Sequence, residues 1–128
     1  VSSPIIGVLA QRLVRRICPD CRKSSHPHPE QLRELGIKEV SFRKLDRRFF
    51  RGDGCDNCRQ TGYRGRIGIH ELLVMSEGVK NTILESSDSD TIKKQGLKEK
   101  MITLRRDGVN KILHGLTTAE EILTITSE

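Results

Sequence analysis

Tryptophan is absent from this chain, and its 128 residues include only one tyrosine and three phenylalanines. With apolar residues at 34%, a chain of this size builds one modest core, or one core and a small lobe. No apolar run approaches the roughly 20 residues that cross a bilayer as a helix, and no secretory leader is visible. The chain opens on Val1 with amphipathic patterning already under way, so it reads as a piece of a longer protein. Cysteine is scarce as well. All four cysteines fall in two short motifs, Cys18-Pro19-Asp20-Cys21 and Cys55-Asp56-Asn57-Cys58.

A C-x-x-C turn sets two sulfurs a few ångströms apart, and two such turns together supply the four thiolates of a tetrahedral site. Cys18, Cys21, Cys55 and Cys58 are therefore the candidate ligands of one structural Zn²⁺. The stretch between the knuckles is about twice as long as in an ordinary zinc ribbon. That extra length costs only about 0.6 kcal/mol of loop-closure entropy, against an apparent zinc affinity on the order of 10–16 kcal/mol. It does imply an insert that folds into something of its own. Two disulfides would need an oxidising compartment that nothing in the sequence marks. A redox C-x-x-C stands alone beside a strand and helix, not as a matched pair. The thiolates do not by themselves separate zinc from iron. With no ligand type left over for an open position, the metal is expected to staple the chain and not to catalyse.

The net charge of +6 is unevenly placed. Residues 1–66 carry fifteen Lys/Arg and seven Asp/Glu, net +8, whereas residues 67–128 carry eight and ten, net −2. A basic half of this kind suits nucleic acid, anionic lipid, phosphates or an acidic protein, or is simply a solvated surface. Its densest part is Arg43, Lys44, Arg47, Arg48 and Arg51, interleaved with Phe42, Phe49 and Phe50. The alternation has the outline of a single-strand-binding platform, but three phenylalanines in a metal-stapled insert more commonly form its miniature core.

Ser2, Ser3 and Pro4 have the pattern of a helix start. Ile5, Ile6, Leu9, Leu13, Val14 and Ile17 then fall on one broad stripe, predicting a helix from Pro4 to Ile17 that delivers Cys18. Ser24–Pro29 is expected as a polar loop whose His26 and His28 are solvated, since the cysteine set is complete. Glu30–Leu35 reads as a short helix closed by Gly36, and Val40–Arg43 and Arg48–Arg51 as short strands. Gly62 and Gly65 bracket a sharp turn. Ile67–Val74 reads as a buried strand. Beyond Ser76 the chain turns helical: an apolar face of Val79, Ile83 and Leu84, a capping loop at Ser86–Asp90, a helix over Ile92–Lys100, another over Leu104–His114 stopped at Gly115, and a last one opened by the capping box Thr117-Thr118-Ala119-Glu120.

Taken together, Gly7-Val8-Leu9-Ala10-Gln11-Arg12-Leu13-Val14-Arg15, the two knuckles, the run Gly62-Tyr63-Arg64-Gly65-Arg66-Ile67-Gly68-Ile69-His70-Glu71-Leu72-Leu73, and the tail from Thr103-Leu104-Arg105-Arg106-Asp107-Gly108 through Thr117-Thr118-Ala119-Glu120-Glu121 resemble the C-terminal part of the type II secretion traffic ATPases (general secretion pathway protein E). The resemblance covers essentially the whole chain in order. The near relatives are the type IV pilus assembly ATPases, which share the tetracysteine insert; pilus retraction ATPases lack it. The wording Gly68-Ile69-His70-Glu71-Leu72-Leu73 leans toward the secretion branch.

The resemblance implies a RecA-like ATPase lobe of a hexameric motor, cytoplasmic and peripheral to the inner membrane. Its partners would be the upstream lobes, neighbouring subunits and the inner-membrane secretion platform, and its work the assembly of a pseudopilus that drives protein export. ATP and Mg²⁺ would belong to the full-length protein only, because no G-x-x-x-x-G-K-[ST] phosphate loop is present; this chain alone is expected not to hydrolyse ATP. The resemblance also brings Arg66, with its neighbour Arg64 and, more weakly, Arg12, to the nucleotide or a subunit interface, where a guanidinium can neutralise phosphate charge. Arg43, Lys44, Arg47 and Arg48 would meet anionic lipid or an acidic partner at the membrane.

The expected architecture is α+β: residues 1–17 a helix of the ATPase core, 18–60 a zinc subdomain, 61–75 a core strand and turn joining a sheet otherwise outside the chain, and 76–128 a helical lobe. Two other classes remain as alternatives. A freestanding zinc-ribbon nucleic-acid binder would leave the acidic helical half without a role. A purely structural interaction module would differ from the motor fragment only in whether Arg66 meets nucleotide.

Overall fold

The two longest strands among the described residues are separated in sequence by the whole cysteine insert, yet pair with each other along almost their full length. The computed structural model describes residues 6–37, 49–86 and 88–127. Within them β1 (Gly7–Ile17) runs antiparallel to β4 (Tyr63–Val74), and the insert supplies β2 (Arg22–Ser25), the short helix α1 (Pro29–Glu34) and β3 (Phe49–Gly52), with β2 and β3 forming a second antiparallel pair. Four further helices follow: α2 (Glu77–Glu85), α3 (Ser89–Lys98), α4 (Leu104–Leu113) and α5 (Ala119–Thr126). The architecture is mixed α/β, with two small sheets and five α-helices among the described residues.

The helix expected over Pro4–Ile17 is instead β1. Its apolar residues fit a helical stripe, but Val8, Val14 and Ile17 are β-branched and suit a strand equally. What decides is β4. The register sets Leu9 against Leu72, Arg12 against Ile69 and Val14 against Ile67, giving the strand a backbone ladder that no local pattern announces. Within the chain β4 does have a partner, β1, which takes one of its two edges. It is also longer than Ile67–Val74 and only half buried. Val14 and Ile69 are fully buried on the inner face, whereas Leu9, Leu13, Leu72 and Val74 stay 47–60% exposed on the outer one.

The core lies between the inner face of this ribbon and α4–α5. Val14 and Ile69 pack with Val109 and Ile112 of α4 and Ala119 and Ile122 of α5, and the insert contributes Leu35, Ile37 and Phe49 to the same cluster. Phe49 is thus a core residue as expected, but the core is shared with the helices and is not the insert's own. Phe50 instead stacks under Arg22, whose guanidinium carbon lies 3.7 Å from the ring centre. Phe42, the strand Val40–Arg43, and Arg43, Lys44, Arg47 and Arg48 lie outside the described residues.

Local signals hold well in the second half. Ser76, Asp88, Thr103 and Thr118 cap α2, α3, α4 and α5 with side-chain acceptors, and Gly36 and Gly115 take positive φ just beyond α1 and α4. Two readings change. The cap of α5 is Thr118, not Thr117, because the Thr117 hydroxyl donates to the Arg15 carbonyl at 2.9 Å. On α2 only Val79 is buried; Leu84 is 84% exposed.

Candidate metal centre

The end of β1 hands the chain directly to the first knuckle. Ile17 N–H donates to Leu116 O at 2.9 Å and Cys18 N–H to Gly62 O at 3.0 Å, so Cys18 is pinned both to the helical lobe and to the start of β4. The second knuckle is a 3-10 turn, Asp56–Cys58, followed by Arg59 and Gln60 in the left-handed region at φ 55° and 65°. That reversal returns Gln60 N–H to the Cys55 carbonyl at 2.9 Å. Gly52 and Gly62 touch backbone to backbone, and a Cβ on either would collide with the other. This contact brings the end of β3, and with it Cys55, over the first knuckle.

The four sulfurs converge. Cys18 and Cys55 Sγ are 3.8 Å apart, Cys21 and Cys58 3.8 Å, and Cys55 and Cys58 3.7 Å; all four lie within 4.8 Å of one another. A tetrahedron with zinc–sulfur bonds of about 2.3 Å has edges of about 3.8 Å, so the side chains as placed can hold a thiophilic metal ion. Cys18, Cys21 and Cys58 are buried and Cys55 is partly exposed. Backbone donors point at the sulfurs: Gly54 N–H at Cys21 (3.3 Å), Cys55 N–H at Cys58 (3.3 Å) and Gly62 N–H at Cys58 (3.2 Å).

These donors act on acidity. At Cys58 desolvation opposes ionisation, but the N–H groups of Cys55 and Gly62, aided by the Cys55 and Cys21 thiols, outweigh it and draw the pKa down to about 6. At Cys55 desolvation prevails and pushes the pKa up to about 11; Cys21 is also raised, again chiefly by desolvation. Ionisation is thus favoured at Cys58 and disfavoured at Cys21 and Cys55, whose thiolates a bound cation would stabilise. A Zn²⁺ held here would supply a cross-link and no open coordination position.

Outside the sulfurs, Asp20 joins the two knuckles to β4. Its Oδ2 accepts from Asn57 Nδ2 at 3.0 Å and from Arg64 Nη1 at 3.2 Å. Arg64 is therefore placed beside the cysteine cluster. Arg66 sits two residues further along β4, directly opposite Arg15, exposed, and makes no ion pair among the described residues. Arg12, opposite Ile69, belongs to the other face of the ribbon, so the three arginines do not converge. Arg51 lies 3.6 Å from Asp53, which also holds Lys23 at 2.9 Å. His26 and His28 are exposed and do not join the sulfurs.

Arg15, Tyr63, Thr118 and Glu121 were not singled out by sequence, although they clasp the metal-side end of the ribbon to α5. The Arg15 guanidinium lies 4.1 Å from the Tyr63 ring centre, the Tyr63 hydroxyl and Thr118 Oγ1 share a hydrogen bond of 2.8 Å, and Glu121 takes Arg15 in three side-chain contacts of 3.0–3.2 Å. The only trace in the sequence is the T-x-x-E pattern, which reads as a helix cap.

Fold and site define an α/β unit with a four-cysteine cluster able to hold a metal ion, its strand ribbon clasped to a helical lobe. The profile of the type II/IV secretion system protein family matches residues 1–124, and the chain belongs to that family. It is 44% identical over 128 residues to the type IV pilus assembly ATPase PilB of Thermus thermophilus, covering all of this chain and 14% of that protein. It is 43% identical over 128 residues to type II secretion system protein E of Aeromonas hydrophila, covering all of this chain and 25% of that protein. With type II secretion system ATPase E of Vibrio cholerae the identity is 36% over 128 residues, all of this chain and 24% of that protein. The chain thus spans a quarter or less of the length of these relatives. No described helix is long and apolar enough to cross a membrane.

Proposed function

We propose that this chain is the zinc-stapled C-terminal portion of a hexameric type II secretion ATPase that powers pseudopilus assembly and protein export. The observation that carries the reading is the family match over essentially the whole chain, cysteine cluster included. In this reading residues 18–60 are the zinc subdomain, 61–75 the turn and strand of the ATPase core, and 76–128 the helical lobe, while β1 replaces the helix expected in 1–17. The ribbon belongs to a RecA-like lobe. Its outer face of Leu9, Leu13, Leu72 and Val74 supports that, because a two-stranded ribbon with an exposed apolar face is marginal alone and suits a larger sheet or a covering layer.

The motor is cytoplasmic and peripheral to the inner membrane, with neighbouring subunits, its own upstream lobes and the secretion platform as partners. Arg66 is the arginine offered to nucleotide or a neighbouring subunit: exposed and without an ion-pair partner among the described residues. Arg64 is a poorer candidate because Asp20 holds it. Arg12 faces the helical lobe. Arg43, Lys44, Arg47 and Arg48 are the patch for anionic lipid or an acidic partner. Nucleic acid is not a partner in this reading.

A type IV pilus assembly ATPase is the second reading, favoured by the 44% identity to the Thermus protein against 43% to the Aeromonas one. Without a phosphate loop the chain alone should not hydrolyse ATP. The test is a chimera in which this chain replaces the matching C-terminal quarter of the Aeromonas protein. Hexamers by analytical ultracentrifugation, ATP hydrolysis, and restored secretion in a strain lacking that protein are expected. Hydrolysis that restores pilus assembly but not secretion would favour the second reading, and a chimera that folds but neither assembles nor hydrolyses would overturn both.

A further inference from the structure

A cleft of about 610 Å³ opens between the Arg12 face of β1, the first turn of α4 and the end of α5. Among the described residues three cations line it, Arg12, Lys93 and Arg105, against one carboxylate, Glu71. Glu71 Oε1 already accepts the Leu104 N–H at 3.0 Å, so that carboxylate serves the helix start. Arg105 is held at the wall, its Nε donating to Thr126 Oγ1 at 3.0 Å and its Nη2 to the Thr126 carbonyl at 3.4 Å. Arg12 and Lys93 make no ion pair among the described residues. Cations gathered in a concave site without matching acids raise the local potential and favour a multivalent oxyanion able to bond several of them at once. No aromatic ring is among the described residues that line the cleft, and these offer a nucleobase nothing to stack on.

We infer that this cleft is a binding site for a short phosphate chain, received by Arg12, Lys93 and Arg105. The inference gives Arg12 a defined ligand chemistry, yet requires nothing of the motor reading, since every residue it invokes lies in this chain.

Calorimetric titration of pyrophosphate, and separately of ADP, into the metal-loaded chain at low ionic strength tests it. One saturable site of similar affinity for both is expected, weakened about tenfold in Arg12→Ala and in Lys93→Ala. It should be unchanged in Arg16→Ala, which removes an exposed charge from the same ribbon, and thermal midpoints should show all three variants folded. Absence of a saturable site, equal weakening by Arg16→Ala, or ADP binding far more tightly than pyrophosphate would overturn it. Failure here leaves the chimera experiment untouched, and failure of the chimera leaves the cleft.

Discussion

Glu121 accepts from both the backbone and the side chain of Arg15: Arg15 N–H reaches Oε1 at 3.0 Å, and the guanidinium spans both oxygens at 3.0–3.2 Å. The Glu121 side chain is 7% exposed and that of Arg15 54%. Solvent therefore screens the Arg15 side and discounts the ion pair, while the buried carboxylate still needs its donors. Glu121→Ala should cost about 2 kcal/mol in chemical denaturation, because the Arg15 N–H and guanidinium lose their acceptor together. Glu121→Gln, which keeps one acceptor oxygen, should cost visibly less. Equal losses would mean that helix packing, not the clasp, is being measured.

Metal removal should have a larger effect. The purified chain is expected to carry about one zinc by mass spectrometry, with four thiols that react only after chelation. Chelation should lower the thermal midpoint and release the β2–β3 pair to hydrogen exchange before α4 and α5. Asp20→Ala, which unties Asn57 and Arg64 while leaving every sulfur, should weaken metal retention about tenfold. Four freely reactive thiols before any chelator would remove the staple.

Asp53 gives a pH-dependent signature. Its hydrogen bond to Lys23, with the charge of Lys23 and then Arg51, lowers its pKa below the ordinary aspartate value. A lowered folded-state pKa contributes stability that is complete above about pH 4 and is lost as pH falls through the folded value. Asp53→Asn should therefore be less stable than the parent at pH 7 and converge on it as pH falls through the lowered folded value, read as urea midpoints. Acid also releases metal from both proteins, so the informative quantity is their difference.

Gly108 on α4 tests packing against propensity. Alanine ordinarily gains about 1 kcal/mol over glycine inside a helix. Here a Cβ would sit 2.7 Å from Ile122 Cγ2 and 2.8 Å from its Cδ1, with Ile122 fully buried. Overpacking of that kind costs about 1–3 kcal/mol, so Gly108→Ala should be net destabilising by roughly 1 kcal/mol. Adding Ile122→Val should recover part of the loss. A stabilised single variant would show that α5 can move away.

The cysteine knuckles, the helix starts after Ser76 and in Ser86–Asp90, and the left-handed glycines were legible in the sequence because each depends on residues within a few positions of one another; the cap of α5 was legible only to within one residue, Thr117 for Thr118. A C-x-x-C fixes its own turn, and a Ser, Thr or Asp cap satisfies N–H groups two or three residues on. The pairing of the two knuckles was legible for a different reason: four like ligands are what one tetrahedral ion needs. Other features had no local cause. Residues 7–17 carry a pattern that fits a helix or a strand, and only β4, some fifty residues later, supplies the hydrogen bonds that settle it. Glu121 stands where a cap carboxylate would, but Arg15, 106 residues away, offers it stronger donors. The sequence by itself determined which residues can ligate, cap and turn. Tertiary structure decided which strand β1 joins, which acid Arg15 meets and which cations gather in one cleft, since those outcomes depend on contacts between segments distant along the chain.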